Sequence, residues 1–194
     1  YRVMFCSSDE NAEKSKQQIQ MLQQGQVDGF IISPPAGSAD QIQALDKSKT
    51  PYVLIDRYFP EIDSSYIIVD NFQASYDATL HLVSKGFKKI ACVTIQIELI
   101  NMRQRLDGYK KALVDSNHEI SDNLIKILPF SHEKDDVLEA VKQLVSNQNT
   151  RVDAILFTTS KVGIMGLESI HSLGLKIPDD IAVISFDDPD AYKI

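Results

Sequence analysis

Short runs of apolar, β-branched residues alternate with stretches of helical periodicity along the whole length of this chain. The run Val27–Ile32 is almost continuously apolar, which is typical of a parallel strand that is buried on both faces. Phe72, Tyr76 and Leu80 recur at every fourth residue, which indicates the apolar face of a helix. Repeated strand–helix units predict doubly wound, mostly parallel sheets flanked by helices, and therefore an α/β fold.

The same alternation predicts where the chain divides and how its elements end. We expect a break near Lys88–Ile90, and hence two lobes, because so many strands fit poorly into one sheet. Asp70 or Asn71 can cap the helix that contains Phe72, and Gly86 can end it in a left-handed conformation. Strands are predicted, with helices between them, at Tyr1–Cys6, Val27–Ile32, Pro51–Ile55, Tyr66–Val69, Ile90–Thr94, Leu124–Leu128, Val152–Phe157 and Ile181–Phe186.

The charge balance limits what this chain can bind. Its 194 residues include 20 Lys and Arg against 27 Asp and Glu, which gives a net charge of −7. Such an acidic chain is poorly suited to neutralise phosphates over a wide surface, which excludes a nucleic-acid-binding domain of the usual electrostatic kind. A regulator whose DNA-binding part lies elsewhere is not excluded.

Signatures of enzymes, metal sites and cofactor sites are missing from the sequence. No GxSxG, HExxH, GxxxxGKS/T or GxGxxG motif occurs, and the four His are not spaced as ligands of one metal ion. We therefore predict no catalytic residues, no metal and no cofactor. Cys6 and Cys92 both lie in apolar runs, which indicates small buried core residues in a reducing compartment.

The sequence also predicts a cytoplasmic protein that makes no contact with a membrane. Its apolar runs are all much shorter than the ~18 residues that a membrane span requires. The chain does not open with a basic segment followed by an apolar one, which is the pattern of a secretory signal.

Polar residues follow the apolar runs at the predicted strand ends. Ligands of open α/β sheets bind outside the carboxyl ends of the strands, so these residues are the candidates for a binding site. Hydroxyls, carboxylates, arginine and an aromatic ring there suit a neutral polyhydroxylated ligand. A strand-end Asp is about as often a helix cap or turn residue as a ligand contact. Asp187 and Asp188 could be a pair of carboxylates for acid–base chemistry. We favour the alternative, in which one contacts a ligand and the other belongs to a turn or helix cap.

Several longer motifs occur together and in one order along the chain. They are Pro51–Arg57 (PYVLIDR), Val69–Asn71 (VDN), His81–Ala91 (HLVSKGFKKIA), Arg105–Tyr109 (RLDGY), Gly174–Ile181 (GLKIPDDI) and Ser185–Asp188 (SFDD). This set resembles the effector-binding core of lac-repressor-type (LacI/GalR) transcription regulators, from the second strand of that core onward.

The resemblance implies a two-lobed periplasmic-binding-protein-like type I fold that closes on a small molecule, usually a sugar or nucleoside-like effector. Residues 1–89 correspond to an incomplete N-terminal lobe, residues 90–188 to the C-terminal lobe and residues 189–194 to the start of the return crossover. We expect the DNA-binding headpiece and the final strands of the family to lie outside this sequence.

The resemblance also assigns effector contacts. Asp56 matches a first-lobe Asp, Phe130 the aromatic residue that stacks on the ligand ring, and Asp187 a second-lobe Asp at a strand end. Arg105 matches the arginine that binds effector hydroxyls or a carboxylate, and Arg103 is a second candidate. We expect Arg105→Ala and Asp187→Ala to abolish effector binding and to spare the melting temperature, because both residues would lie at a pocket and outside the core.

Two segments depart from the family pattern. Thr159 and Ser160 stand where relatives often have Asn-Asp; Thr159 can still bind a ligand and Ser160 can still cap the helix that follows. The segment Gln96–Asn101 is unusually apolar, and Leu99 and Ile100 are expected to narrow or dry one side of the pocket. A hexose is therefore not assumed as the effector.

The resemblance implies the effector-binding and dimerisation core of a transcription regulator. A small, sugar-like molecule bound between the lobes would shift the affinity of a homodimer for operator DNA, which the headpiece contacts. An extracytoplasmic sugar-binding protein for transport or chemotaxis shares this fold and is the alternative, and an enzyme on this fold is a third. A full-length sequence separates the first two, since one predicts an upstream helix-turn-helix and the other a signal peptide.

Overall fold

The computed structural model describes residues 2–96, 98–146 and 151–192, and its contacts divide the chain into two compact units. The first unit contains the residues up to Val69 together with Glu98–Ile100, and the second contains the others from Asp70 onward. The helix that follows Asp70 thus belongs to the second unit, whereas the sequence analysis assigned it to the N-terminal lobe. The lobe boundaries at 89 and 188 stay a prediction.

The first unit is a small parallel sheet covered on one face by two helices. Its elements are α1 (Ala12–Gln24), β1 (Phe30–Ile32), α2 (Ala39–Lys47), β2 (Tyr52–Ile55) and β3 (Tyr66–Ile67), and the sheet order is β1-β2-β3. Ile19 of α1 and Leu45 of α2 pack with Ile32 and Leu54 of the sheet in one buried cluster. The side chain of Asn11 caps α1 by accepting a hydrogen bond from the Lys14 amide at 2.9 Å.

Two predictions about the first unit are wrong. Residues 2–6 form no strand, because within the described chain no other strand pairs with them, and Cys6 is exposed instead of buried. Strand β1 is buried on one face only: Ile32 points to the helices, whereas Ile31 is 77% exposed. The reason is the period of two in a strand, which sends neighbouring side chains to opposite faces of a sheet that has helices on one side.

The second unit is a four-stranded parallel sheet with the order β5-β4-β6-β7. Its elements are α3 (Asn71–Ser84), β4 (Ile90–Ile95), α4 (Ile100–Asp115), β5 (Ile125–Leu128), α5 (Lys134–Val145), β6 (Ala154–Phe157), α6 (Ser160–Ser172) and β7 (Ala182–Ser185), with short 3₁₀ turns at Asp122–Leu124 and Asp190–Tyr192. Every predicted strand and helix of this unit is present, with ends that differ by a few residues. The α/β fold class is therefore confirmed.

The core of the second unit lies around β4 and β6, whose residues are all buried. Cys92 of β4 is fully buried, as predicted, and burial raises the pKa of its thiol to about 12. The phenol of Tyr109 reaches the same strand and donates a hydrogen bond to the Ile90 carbonyl at 2.8 Å. This bond satisfies the polar tip of a side chain that is otherwise packed in the core.

The predicted ends of α3 are also confirmed. The Asp70 side chain accepts a hydrogen bond from the Gln73 amide at 2.9 Å and so caps the helix. Gly86 has φ +92° just after the helix, a conformation that residues with a side chain rarely adopt. Within the described ranges, no helix is both long enough and apolar enough to cross a membrane.

Candidate functional site

The sheet of the second unit contains a topological switch point. Helix α4 leads from β4 to β5 on one side, and α6 leads from β6 to β7 on the other. The chain therefore leaves the neighbouring strands β4 and β6 in opposite directions, which is the arrangement at a switch point. Ligands of open α/β sheets bind at such a point, so the residues at the ends of β4 and β6 are the first candidates.

Two buried threonines lie at this switch point. Val93 of β4 pairs with Phe157 of β6, which brings the next residues, Thr94 and Thr158, to the same level of the sheet. The Thr158 hydroxyl donates a hydrogen bond to the Thr94 hydroxyl at 2.7 Å, and both side chains are fully buried. The Thr158 amide donates to the Val93 carbonyl at 3.1 Å, so the hydrogen-bond ladder between the two strands continues to Thr158.

Arg105 of α4 lies against this pair. Its Nε donates to Asn71 Oδ1 at 2.7 Å, and its Nη1 donates to the Thr158 carbonyl at 2.5 Å. The guanidinium also lies over the Phe186 ring, with Cζ 4.0 Å from the ring centre, which is a cation–π contact. One side chain therefore joins the start of α3 to the ends of β6 and β7.

The burial of Arg105 changes the effect that its replacement should have on the stability of the protein. The residue is only 8% exposed, whereas Arg103, two positions earlier on α4, is exposed to solvent. This burial contradicts the expectation that Arg105 lies outside the core. The two arginines that the sequence offered as alternatives thus occupy different environments, because residues two apart on a helix point in different directions.

Thr159 directly precedes α6 and supplies its cap. Its backbone is extended, with φ −143° and ψ 154°, and its Oγ1 accepts a hydrogen bond from the Val162 amide at 3.3 Å. The sequence analysis gave the cap to Ser160, which is instead the first residue of the helix. The cap lies one residue earlier than predicted because the helical backbone already begins at Ser160, and the extended Thr159 before it places its hydroxyl at the Val162 amide.

We predict that Thr159→Ala lowers the free energy of unfolding by about 1 kcal/mol, the typical cost of a lost N-cap. The matched control is Ser160→Ala, which leaves the Thr159 cap in place and should change stability by only a few tenths of a kcal/mol. Chemical denaturation of both variants measures the difference. Equal losses in the two variants would contradict the assignment of the cap.

The remaining candidates of the second unit lie further out at the same end of the sheet. Asp187 follows β7 by two residues, is exposed and has a left-handed backbone with φ +65°. Phe130 follows β5 by two residues and is 38% exposed. Strands β5 and β7 are the two edges of the sheet, so β4 and β6 lie between Phe130 and Asp187.

Five contacting residues of this site had no assigned role in the sequence analysis. Asn71 was a possible helix cap and a member of the VDN motif, Phe186 was a member of the SFDD motif, and Thr94 and Thr158 were named only for their places at strand ends. His132 was set aside as an isolated histidine, but it is 2% exposed, and its Nδ1 lies 3.0 Å from the Pro129 carbonyl in the turn that carries Phe130. His132 stands out because it is a polar side chain buried inside a loop, and this burial is visible only in the tertiary structure. Within the described residues, no group of three or more His, Cys, Asp or Glu is placed to hold a metal ion.

The first unit has its own polar cluster at the carboxyl end of its sheet. Asp56 follows β2 directly, has φ +65°, and its Oδ2 lies 3.2 Å from Nε of Arg57. Arg57 is largely buried and donates to both carboxylate oxygens of Glu10, at 2.5 and 2.9 Å. Asp56 is therefore already engaged by a neighbouring cation, with about half of its side chain still accessible to solvent.

The chain matches a known family over nearly its whole length. The family profile described as periplasmic binding proteins and sugar binding domain of LacI family matches residues 1–193. The HTH-type transcriptional repressor PurR of Aliivibrio fischeri is 28% identical over 190 residues, which are 96% of this chain and 56% of the repressor. The HTH-type transcriptional regulator DegA of Bacillus subtilis is 27% identical over 190 residues, which are 96% of this chain and 55% of that protein. The chain thus spans about half the length of these curated relatives.

A solved structure shares both the fold and part of the sequence. The sugar-binding transcriptional regulator of the LacI family from Escherichia coli, complexed with phosphate, is 26% identical and superposes with a TM-score of 0.77. The match covers 92% of this chain and 64% of that structure.

Proposed function

Because this chain belongs to the family of periplasmic binding proteins and LacI-type sugar-binding domains, we propose that it is the effector-binding core of a DNA-binding transcription regulator. The effector is a small, sugar-like molecule, and the protein acts as a homodimer in the cytoplasm. Operator DNA is contacted by a headpiece outside this chain, and no step of the function requires catalysis. The curated relatives described above are HTH-type regulators, which supports this function over the alternative of an extracytoplasmic binding protein.

The observation that carries the proposal is the polar cluster at the switch point between β4 and β6. Arg105 is held there in one orientation by Asn71, the Thr158 carbonyl and the Phe186 ring. An arginine fixed by its own protein holds its charge in a defined place, which lowers the entropic cost of binding a ligand. Such preorganisation is what a selective site for a small polar molecule requires.

The proposed effector contacts combine charged groups, a hydroxyl and an aromatic ring. Asp187 and Asp56 would accept hydrogen bonds from ligand hydroxyls, and the Phe130 ring would cover the apolar face of a sugar or a base. The remaining contacts are the cation of Arg105, the exposed cation of Arg103 and the hydroxyl of Thr159. We also propose that Leu99 and Ile100 limit the size of the ligand; Ile97 in the same segment lies outside the described residues.

Effector binding would act on DNA through linkage. A ligand shifts a conformational equilibrium only by the difference between its affinities for the two conformations. The effector of this core would therefore change operator affinity by binding one arrangement of the dimer more tightly than the other.

A thermal-shift screen of the full chain against sugars, sugar phosphates, uronic acids and nucleobases tests the proposal. A ligand at 100 times its Kd should add about 2.7 kcal/mol of stability, which raises Tm by roughly 5–10 °C for a chain of this size. Asp187→Asn should abolish the shift, because the carboxylate that accepts the ligand hydroxyls is gone. The matched control Asp188→Asn changes the adjacent exposed carboxylate and should keep the shift.

Two outcomes would contradict the proposal. A panel without any saturable shift would rule out an effector core for these ligand classes, and a shift that survives in Asp187→Asn would place the site elsewhere. The coding sequence upstream of residue 1 separates the two functions that bind sugars. A helix-turn-helix there supports the regulator, and a signal peptide supports the transport protein.

A further inference from the structure

The loop that follows β7 returns to the first turn of α6 through one side chain, Tyr192. The Tyr192 hydroxyl donates a hydrogen bond to the Ser160 carbonyl at 3.2 Å and lies 2.6 Å from the hydroxyl of Ser185. Either hydroxyl can donate in this pair, and the Ser185 hydroxyl also donates to the Phe186 carbonyl at 3.3 Å. The phenol therefore bridges the last residue of β7 and the first residue of α6.

Gly163 allows this close approach. A Cβ at this position would lie 2.2 Å from Ser185 Oγ and 2.3 Å from Tyr192 Oη, which is far closer than real contacts. Gly163 is in α6, where glycine costs roughly 1 kcal/mol relative to alanine. The helix thus carries an unfavourable residue at a position where a side chain would exclude the Tyr192–Ser185 pair.

The bridge connects two of the effector contacts named above. Asp187 opens the loop that Tyr192 closes, and Thr159 directly precedes Ser160 at the start of α6. The Tyr192 amide donates to the Pro189 carbonyl at 2.9 Å, so the loop is also closed on itself. The carboxylate of Asp187 is near enough to contribute, after burial, to raising the pKa of Tyr192.

We propose that Tyr192 is a positioning residue, whose hydroxyl fixes the Asp187 loop against the Thr159 cap so that both present their oxygens at constant spacing. This inference rests on the proposed function for its biological meaning. A constant spacing selects ligands with hydroxyl groups fixed on a ring over flexible chains, because the site does not reorganise to bind them. A phenol suits the role because its one hydroxyl can both donate and accept a hydrogen bond, and so can contact a carbonyl and a second hydroxyl together.

Tyr192→Phe removes only the hydroxyl and is the test of the bridge. Hydrogen exchange of the ligand-free full chain, followed by NMR, should show about five-fold faster exchange at the amides of Val162 and Tyr192, the scale of one lost hydrogen bond. The matched control is Tyr76→Phe, whose hydroxyl donates to Asp115 at 3.0 Å on the surface of the same unit. The control should leave both amides unchanged, and equal exchange in wild type and Tyr192→Phe would overturn the proposal.

A second measurement uses the pKa of Tyr192 to test which groups lie near its hydroxyl. With tyrosine labelled at ¹³Cζ, Asp187→Asn should lower the pKa of Tyr192, because a nearby negative charge opposes formation of the phenolate. Ser185→Ala should raise it, because the hydrogen bond from Ser185 favours the phenolate. A role in stability alone predicts no such opposite shifts. If neither variant moves the pKa, or if both move it in one direction, the bridge does not join these groups.

The two proposals can fail separately. Both measurements use protein without ligand, so an unsuccessful effector screen would contradict the proposed function and leave the bridge intact. If Tyr192→Phe does not fold, Ser185→Ala takes its place in the exchange experiment, since it removes the other half of the bridge. Unchanged exchange alongside a successful screen would reject the positioning role and keep the effector core.

Discussion

Replacing Arg105 with alanine is expected to lower the free energy of unfolding by roughly 2–4 kcal/mol. The change removes two hydrogen bonds from a charged donor, to Asn71 and to the Thr158 carbonyl, each worth about 1.5–3 kcal/mol. It also removes the contact with the Phe186 ring. Part of this loss is offset because a buried charge no longer has to be desolvated. For a chain of this length, Tm should fall by roughly 5–15 °C.

Arg103→Ala is the matched control for this prediction, because it removes the same side chain from an exposed position on the same helix. Its effect should stay within about 0.5 kcal/mol. Arg105→Lys should recover only part of the loss, since an ammonium keeps the charge but cannot reach two acceptors with a planar fork. Equal melting temperatures for Arg103→Ala and Arg105→Ala would show that the buried contacts of Arg105 do not stabilise the protein.

Gly108→Ala is expected to be the most damaging small substitution in α4. A Cβ on Gly108 would lie 2.2 Å from the Phe72 carbonyl oxygen and 3.0 Å from the Tyr76 amide nitrogen, both backbone atoms of α3. A flexible side chain could move away, but helix backbone cannot, so α3 and α4 would have to separate. We expect a loss of about 3 kcal/mol or more, at the upper end of the usual cost of overpacking, and a fall in Tm of roughly 10 °C.

Asp107→Ala controls for the introduction of alanine into the same turn of α4. Asp107 is exposed, so its replacement should be close to neutral, while the higher helix propensity of alanine would favour both variants. Urea denaturation of the two variants gives the comparison. If Gly108→Ala were as stable as wild type, the backbone of α3 at Phe72 would not lie as close to Gly108 as the structure shows.

The element order of the chain was predictable because it depends on local periodicity. The run that became β4 is apolar at every position except Thr94, and it is buried at every position. The caps at Asn11 and Asp70 follow from side chains that hydrogen-bond within three residues, so they need no tertiary contact. The strand predicted at residues 2–6 was wrong because a strand, unlike a helix cap, is not decided locally. An apolar run forms a strand only where a second strand supplies its hydrogen bonds.

The candidate site was predictable in its residue types and not in its contacts. The carboxyl ends of parallel strands meet at one edge of a sheet, so Thr159 and Asp187 could be selected from their places after apolar runs. Their effector contacts stay predictions. The sequence could not show that Arg105 is buried and Arg103 exposed, since both lie on one helix and carry the same charge.

What the sequence alone determined is the α/β class, the order of strands and helices, and the family, because these follow from patterns that extend over many residues. Only the tertiary structure decided the partners of Arg105 and the bridge from Tyr192 to Ser160 and Ser185. The largest separation along the chain among these contacts is that of Arg105 and Phe186, which are 186 − 105 = 81 positions apart. Their formation depends on strand order and on side-chain direction to within an ångström, and neither is encoded in the local periodicity of the sequence.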